Sequence, residues 1–419
     1  MALPLDLSTL FAQLETLGQL GAEGPGAGRT RLALTDTERA GRDQLVAWMR
    51  ALDLEVEIDR LGNIFGSLPA TSPEGDAEPL MLGSHIDTVR QAGALDGCYG
   101  VLAGLAIQRA FREAGVTPAR RLVVAAFTNE EGVRYQPDMM GSLVYAGGLA
   151  VETALATLGT DGTTLGDELA RIGYAGRMPC GTNPPWAFLE LHIEQGPVLE
   201  AASKRLGVVS GVQGISWQRI TLEGEANHAG TAPMAFRHDA GYGAAATGAF
   251  LREQITAAAP GTTLATVGSL RLEPDVINVV PARATFTVDL RDPDEGRLQA
   301  AEAALAAFLG DLAAREGLKV TQERLVRFKP VVFHASLRAR IQRAAEAAGE
   351  TPLTLTSGAG HDAQMLARVA PSAMIFVPSV RGISHNPAEH TSEADLALGA
   401  EVLLRVVEDC LAVPLGAEP

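Results

Sequence analysis

Short apolar runs, most of them followed within a few residues by a histidine or a carboxylate, set the tightest limit on how this chain can fold. Residues 79–83, 121–127, 187–191 and 373–377 are nearly continuous in apolar side chains. Such runs belong in a mostly buried sheet covered by helices. Helical patterns at 97–114 and 336–348 alternate with them, which is the rhythm of an α/β domain. Two further helices are expected near the N-terminus, at 6–20 before the Gly-rich stretch 21–28, and at 37–52.

One segment breaks the rhythm. Between 212 and 330 the order is a strand (217–223), a helix (239–254), two strands (263–272 and 282–291), an Ala-rich helix (294–316) and a last strand (318–327). That βαββαβ order is ferredoxin-like. Signals of the first kind resume at 331–410, with Gly211 and Gly214 at the entry and Lys329-Pro330 at the exit. The expectation is an α/β domain of residues 1–211 and 331–419, with an inserted domain at 212–330 on two adjacent crossings that could act as a hinge. A chain of 419 residues is in any case too long for one ordinary core.

The charge balance, 34 basic against 50 acidic residues, gives −16 and argues against partners that need a basic footprint, namely nucleic acid and anionic membranes. No apolar run reaches the roughly 20 residues that span a bilayer. Cys98, Cys180 and Cys410 are scattered without zinc-ribbon or redox spacing, so reduced thiols are expected. With no basic residue before Arg29, the N-terminus lacks a signal peptide's shape, and a cytoplasmic location is expected.

The chemistry sits mostly just beyond the predicted strands. His85 and Asp87 follow the first run, and Asp87 could orient the His85 ring. Asp96 precedes a helix, where an N-cap is the plainer alternative. Glu130 and Glu131 close the second run; two adjacent carboxylates at a buried strand end need a cation or a proton, unless the pair is a solvated loop. One can ligate a metal while the other serves as general base. His192 follows the third run and His385 the fourth. Three histidines with Asp96 and Glu131 match the ligand mix of a binuclear site, and one bridging carboxylate gives each ion three protein ligands. Such ligands suit zinc, manganese, cobalt or nickel. In the inserted segment, His228 could donate to an oxyanion. Arg291, with Asn278 as helper, could hold a carboxylate, or Arg291 could simply pair with a neighbouring Asp.

The ordered motifs Gly-Ser-His-Ile-Asp-Thr-Val, Leu-Asp-Gly, Asn-Glu-Glu-Gly, His-Ile-Glu-Gln-Gly-Pro-Val-Leu-Glu, Asn-His-Ala-Gly-Thr-Ala-Pro-Met, Ser-Gly-Ala-Gly-His-Asp-Ala and Ser-His-Asn-Pro-Ala-Glu cover nearly the whole chain. They resemble the M20 metallopeptidase superfamily, and within it the hydantoinase/carbamoylase branch. The resemblance implies a mixed-sheet metallohydrolase domain with an inserted dimerisation and lid domain, and a homodimer acting on a small carboxylate-bearing substrate. It implies two divalent ions, one held by His85, Asp96 and His192 and the other by Asp96, Glu131 and His385. Glu130 would be the general base. His228 would polarise the scissile carbonyl in the partner subunit's site. Asn278 and Arg291 would grip the substrate carboxylate, while Gln195, Gly360 and His361 would border the ureido end. The implied reaction is hydrolysis of the carbamoyl C–N bond of N-carbamoyl-L-amino acids. Allantoate or N-carbamoyl-β-alanine are the alternative substrates, with an aminoacylase, a dipeptidase or a non-catalytic metal-binding protein further off.

Overall fold

The computed structural model describes residues 3–182, 184–258, 262–413 and 415. The chain forms two compact units, one of Met1–Gly211 with Val332–Pro419 and the other of Val212–Val331.

In the larger unit four parallel strands lie side by side in the order Leu122–Phe127, Leu80–His85, Ala187–Ile193 and Ser372–Val377. Every residue of these strands is buried, which explains their unbroken apolar runs. Antiparallel strands extend the sheet on both sides: Ile64–Leu68 and then Glu55–Ile58 next to Leu122–Phe127, and Gly207–Val212 next to Ser372–Val377. The sheet is therefore mixed. Helix Cys98–Glu113 packs on the central strands with nearly all its residues buried. A methyl group on Gly100 would come within 2.4 Å of the Leu191 carbonyl oxygen, so only glycine lets the helix lie this close.

Of the four parallel strands Leu80–His85 comes first in the chain, and Leu122–Phe127 is then placed on one side of it and Ala187–Ile193 on the other. That reversal opens a crevice beyond the carboxyl ends of the strands, the usual ligand position in an α/β sheet. His85 ends one strand, and the segments after the other three run into the same crevice.

The smaller unit is a four-stranded antiparallel sheet in the order Lys319–Phe328, Gly214–Glu223, Arg283–Asp292, Leu264–Glu273. Helices Ala240–Phe250 and Glu295–Glu316 pack on it. Together these make the βαββαβ arrangement with a ferredoxin-like strand order. Inward residues alternate along Arg283–Asp292 (Ala284, Phe286, Val288, Leu290) and meet Leu298, Leu305 and Leu309 of the long helix. Among the described residues no helix is long and apolar enough to cross a membrane.

A buried ion pair ties the larger unit's outer helix to the crevice. Helix Asp36–Ala51 carries Glu38 and Arg42, one turn apart and both essentially without solvent exposure, with Arg42 Nε 2.5 Å from Glu38 Oε1. The same guanidinium donates to the Gly62 carbonyl at 2.6 Å and to Thr128 Oγ1 at 3.1 Å, just ahead of Glu130 and Glu131. Arg42→Ala would strand the Glu38 carboxylate, so urea unfolding should show a loss of about 3–5 kcal/mol. An unchanged midpoint would show that the pair carries no such weight.

Candidate metal centre

Each candidate ligand is delivered by a strand end or by the turn behind it. Arg31, itself buried, fixes the segment after His85: its Nε donates to the Ile86 carbonyl at 2.8 Å, and its backbone N–H donates to Thr88 Oγ1 at 2.9 Å. The same guanidinium reaches back to the carbonyls of Leu17 and Leu20. Asp96 precedes Gly97, whose φ of +64° turns the chain into helix Cys98–Glu113. No side chain caps that helix, so the Asp96 carboxylate is directed elsewhere.

It faces three imidazoles. Asp96 Oδ1 lies 3.2 Å from His192 Nε2 and 3.5 Å from His85 Nε2, while Oδ2 lies 3.2 Å from His385 Nε2. His385 Nε2 is also 3.3 Å from Glu131 Oε2, and His85 Nε2 is 3.5 Å from Glu130 Oε2. Two groups that could hold a metal ion, His85–Asp96–His192 and Asp96–Glu131–His385, thus meet at the two oxygens of one carboxylate.

The ring orientations suit a cation. His85 Nδ1 bonds the Asp87 carbonyl at 3.0 Å and His192 Nδ1 bonds the Ile193 carbonyl at 2.8 Å. A carbonyl can only accept, so in the neutral rings both Nδ1 atoms carry the proton and both Nε2 lone pairs face the cluster, as metal-ligating histidines are usually held. Glu131 Oε1 is buried and has no hydrogen-bond partner among the described residues, a cost that a cation would remove. The residues present fit divalent ions.

Burial and mutual charge also shift the proton affinities of these groups. Burial pushes Glu130 well above the usual carboxylate range, and the charges of Asp362, Glu131 and Asp96 push it further against the pull of His85. Burial and Asp96 likewise raise Glu131. Burial opposes a charge on His85, but Glu130, Asp96 and Asp87 outweigh it and raise its pKa well above the usual value. Hydrogen bonding to Asp96, with the charge of Glu131, lifts His385 to about 9. Burial and the charges of close neighbours set these proton affinities.

Asp87 meets the His85 ring, as expected, but through its backbone carbonyl rather than its side chain. Its carboxylate stands 3.8 Å from His85 Nδ1, and instead accepts the backbone N–H groups of Glu130 and Glu131, each at 3.3 Å. Its side chain therefore orients the two glutamates, while its backbone carbonyl holds the His85 ring. Glu130 and Glu131 are not a solvated loop pair, since their side chains are only 10% and 6% exposed.

The remaining sites divide between the two units. Gln195, at φ +58°, donates from Nε2 to Asp96 Oδ2 at 2.7 Å. His361 is buried edge-on against the His192 ring, 4.7 Å between centroids, with Nε2 at 2.9 Å from Ser357 Oγ. Burial and the neighbouring His192 keep it well below the usual imidazole range. Gly360 precedes it against Met139, whose methyl a Cβ would meet at 2.9 Å. In the smaller unit His228 and Asn278 are brought together on the two-stranded ladder Asn227–His228 with Val279–Val280, where Ala229 N–H donates to the Asn278 carbonyl at 2.9 Å. Arg291 lies near the end of its strand and holds Asp289 at 2.9–3.1 Å, the plainer of its two expected roles.

Some supporting residues carried no sequence signal of their own. Glu389 is one: it accepts Leu95 N–H at 2.9 Å, Asp96 N–H at 3.3 Å and the Ser384 hydroxyl at 2.8 Å, so it fixes the Asp96 turn. Its only hint was a place four residues after His385 in the same motif. Glu190 is another, accepting from Ser84 Oγ at 2.6 Å and Ala363 N–H at 2.8 Å between adjacent strand ends.

Residues 81–409 match the peptidase family M20/M25/M40, and the chain belongs to that family. It is 38% identical over 395 residues to an N-carbamoyl-L-amino-acid amidohydrolase of Rhizobium meliloti, covering 94% of each chain. It is 34% identical to an allantoate amidohydrolase of Bacillus subtilis, covering 93% of this chain and 94% of that one. A solved amidase of the hydantoinase/carbamoylase family from Burkholderia multivorans superposes with a TM-score of 0.93 at 41% identity, covering 99% of this chain and 100% of that one. Family membership and the ligand groups together indicate use of divalent metal.

Gly97 offers a direct probe of this geometry. A Cβ there would sit 2.4 Å from two ring atoms of His85, at a φ that side chains rarely adopt. Gly97→Ala should displace the His85 ring and weaken metal binding about 10–100-fold, the range typical when a ligand loses its orientation. Chelator competition measures this, and unchanged affinity would mean that His85 is not a ligand.

Proposed function

We propose that this protein is a two-metal amidohydrolase that releases the carbamoyl group of N-carbamoyl-L-amino acids as ammonia and carbon dioxide. The observation that carries the reading is the Asp96 carboxylate set between two groups of potential ligands, with Glu130 beside one of them. His85, Asp96 and His192 would hold one ion, and Asp96, Glu131 and His385 would hold the other. The similarity to N-carbamoyl-L-amino-acid amidohydrolases supports the choice of substrate.

Bound divalent ions would supply an acidified water and a polarised carbonyl. Glu130 takes the proton of the attacking water and returns it to the leaving nitrogen; its buried carboxylate stands beside the candidate ligands, 3.5 Å from His85 Nε2. His228 donates a hydrogen bond to the oxyanion. Arg291 and Asn278 receive the substrate carboxylate, for which Arg291 would have to share or release Asp289. Gln195, Gly360 and His361 border the ureido end, where Gln195 Oε1 is buried with no hydrogen-bond partner among the described residues.

The smaller unit serves as lid and dimerisation domain in this reading. Its sheet ends in the edge strand Leu264–Glu273, which exposes Leu264 and Leu270 by about half. An apolar open edge of this kind favours pairing with a second copy. The partner subunit would then supply its own lid histidine to this site.

The test is ammonia release from metal-loaded enzyme offered N-carbamoyl-L-methionine, N-carbamoyl-β-alanine and allantoate side by side. The reading predicts preference for the carbamoyl-α-amino acid. Preference for allantoate would move the enzyme to ureide breakdown on the same site, in line with its likeness to the Bacillus subtilis relative. Glu130→Gln should cut kcat by at least about 100-fold, as loss of a general base does, with metal content unchanged. Loss of metal with activity would refute its role as base.

A further inference from the structure

His228 sits in a turn whose hydrogen bonds decide which of its nitrogens carries the proton. The backbone N–H groups of Gly230 and Thr231 both point at Nδ1, at 3.0 and 3.2 Å. An atom that accepts from two N–H donors cannot carry a proton of its own, so in the neutral ring the proton lies on Nε2. This is the reverse of His85 and His192, whose Nδ1 atoms face carbonyls and whose Nε2 atoms keep their lone pairs. The same residue type is thus set as a cation ligand in one unit and as a hydrogen-bond donor in the other.

Backbone contacts alone pin this turn at few points. Ala229 N–H bonds the Asn278 carbonyl, and Ala232 N–H bonds the His228 carbonyl at 3.1 Å. The carbonyls of Ala229 and Ala232 point to a single side chain. Arg237 donates from Nη2 to Ala229 at 2.6 Å and from Nε to Ala232 at 3.0 Å. One guanidinium, rigid and planar, thereby grips both ends of the segment that contains Gly230 and Thr231. No carboxylate partner is needed to explain where it lies.

We propose that Arg237 is a positioning residue which, by holding the Ala229 and Ala232 carbonyls, keeps Gly230 and Thr231 N–H on His228 Nδ1 and so presents Nε2–H as the donor to the substrate oxyanion. The step to catalysis rests on the role given to His228 above; the control of its tautomer does not.

The test reads the two separately. Nitrogen-15 NMR of histidine-labelled enzyme, with His228→Gln used to assign the signal among the eight histidines, reports the tautomer directly. Wild-type His228 should show Nε2–H alone. Arg237→Gln should let an Nδ1–H population appear and lower kcat about 10-fold or more, short of the 10²–10³ lost when an oxyanion donor is removed outright. KM should stay within about 3-fold, because the lost interaction belongs to the transition state. Arg237→Lys, whose ammonium is a point charge in place of the rigid fork, should fall between the two and guards against a variant that fails to fold. Wild-type enzyme carrying Nδ1–H, or an Arg237→Gln variant whose tautomer is unmoved, would overturn the proposal. A scrambled tautomer with wild-type kcat would uphold Arg237's hold on the ring and instead sink the role of His228 as oxyanion donor.

Discussion

The carboxylate of Asp96 has one oxygen for each of two ligand groups, and most of the larger unit is arranged so that it can. Its oxygens lie 3.2–3.5 Å from three imidazole nitrogens that come from widely separated parts of the chain. Holding a carboxylate in that position requires a turn rather than a helix cap, a glycine at 97 to admit the His85 ring, and Glu389 to accept the backbone N–H groups on the near side. It also requires strands that end together. Four parallel strands buried on both faces do this, since their register against one another leaves little freedom in where the following residues emerge.

Histidine orientation is the second device in the structure. Backbone carbonyls beside His85 and His192 and backbone N–H groups beside His228 give opposite tautomers in the neutral rings. Because the main chain makes these choices, they are built into turns that other side chains must hold: Arg31 for the segment after His85, Arg42 for the segment before Glu130, and Arg237 for the turn after His228. Arginine suits this work, because its fork reaches several carbonyls or hydroxyls at once and keeps its charge when buried.

Much of this was legible in the sequence, for physical reasons. Leu80–His85 and Leu122–Phe127 are apolar at almost every position because both faces are covered, and the polar residues that follow stand out against them. The βαββαβ segment was legible because its strands alternate and its helices are long. The outer strands Glu55–Ile58 and Ile64–Leu68 were not. The first is short and half exposed, and the second carries Gly66 at a point where the Met49 side chain leaves no room for a Cβ. The candidate ligands could be picked out one by one, but most of their supports could not. Glu389 and Glu190 act through partners far away in the chain, and Asp87 turns toward Glu130 and Glu131 because their backbone N–H groups lie closer than the His85 ring. Spacing carries no trace of such pairings.

The measurement that bears most directly on the shared role of Asp96 is a count of tightly bound metal per chain by elemental analysis, compared across wild type, Asp96→Ala and His385→Ala. A carboxylate common to two sites predicts about two ions in the wild type, about one when His385 is removed, and close to none when Asp96 is removed. An Asp96→Ala variant that retains a full complement of metal would contradict the account, because no residue could then be said to join the two groups.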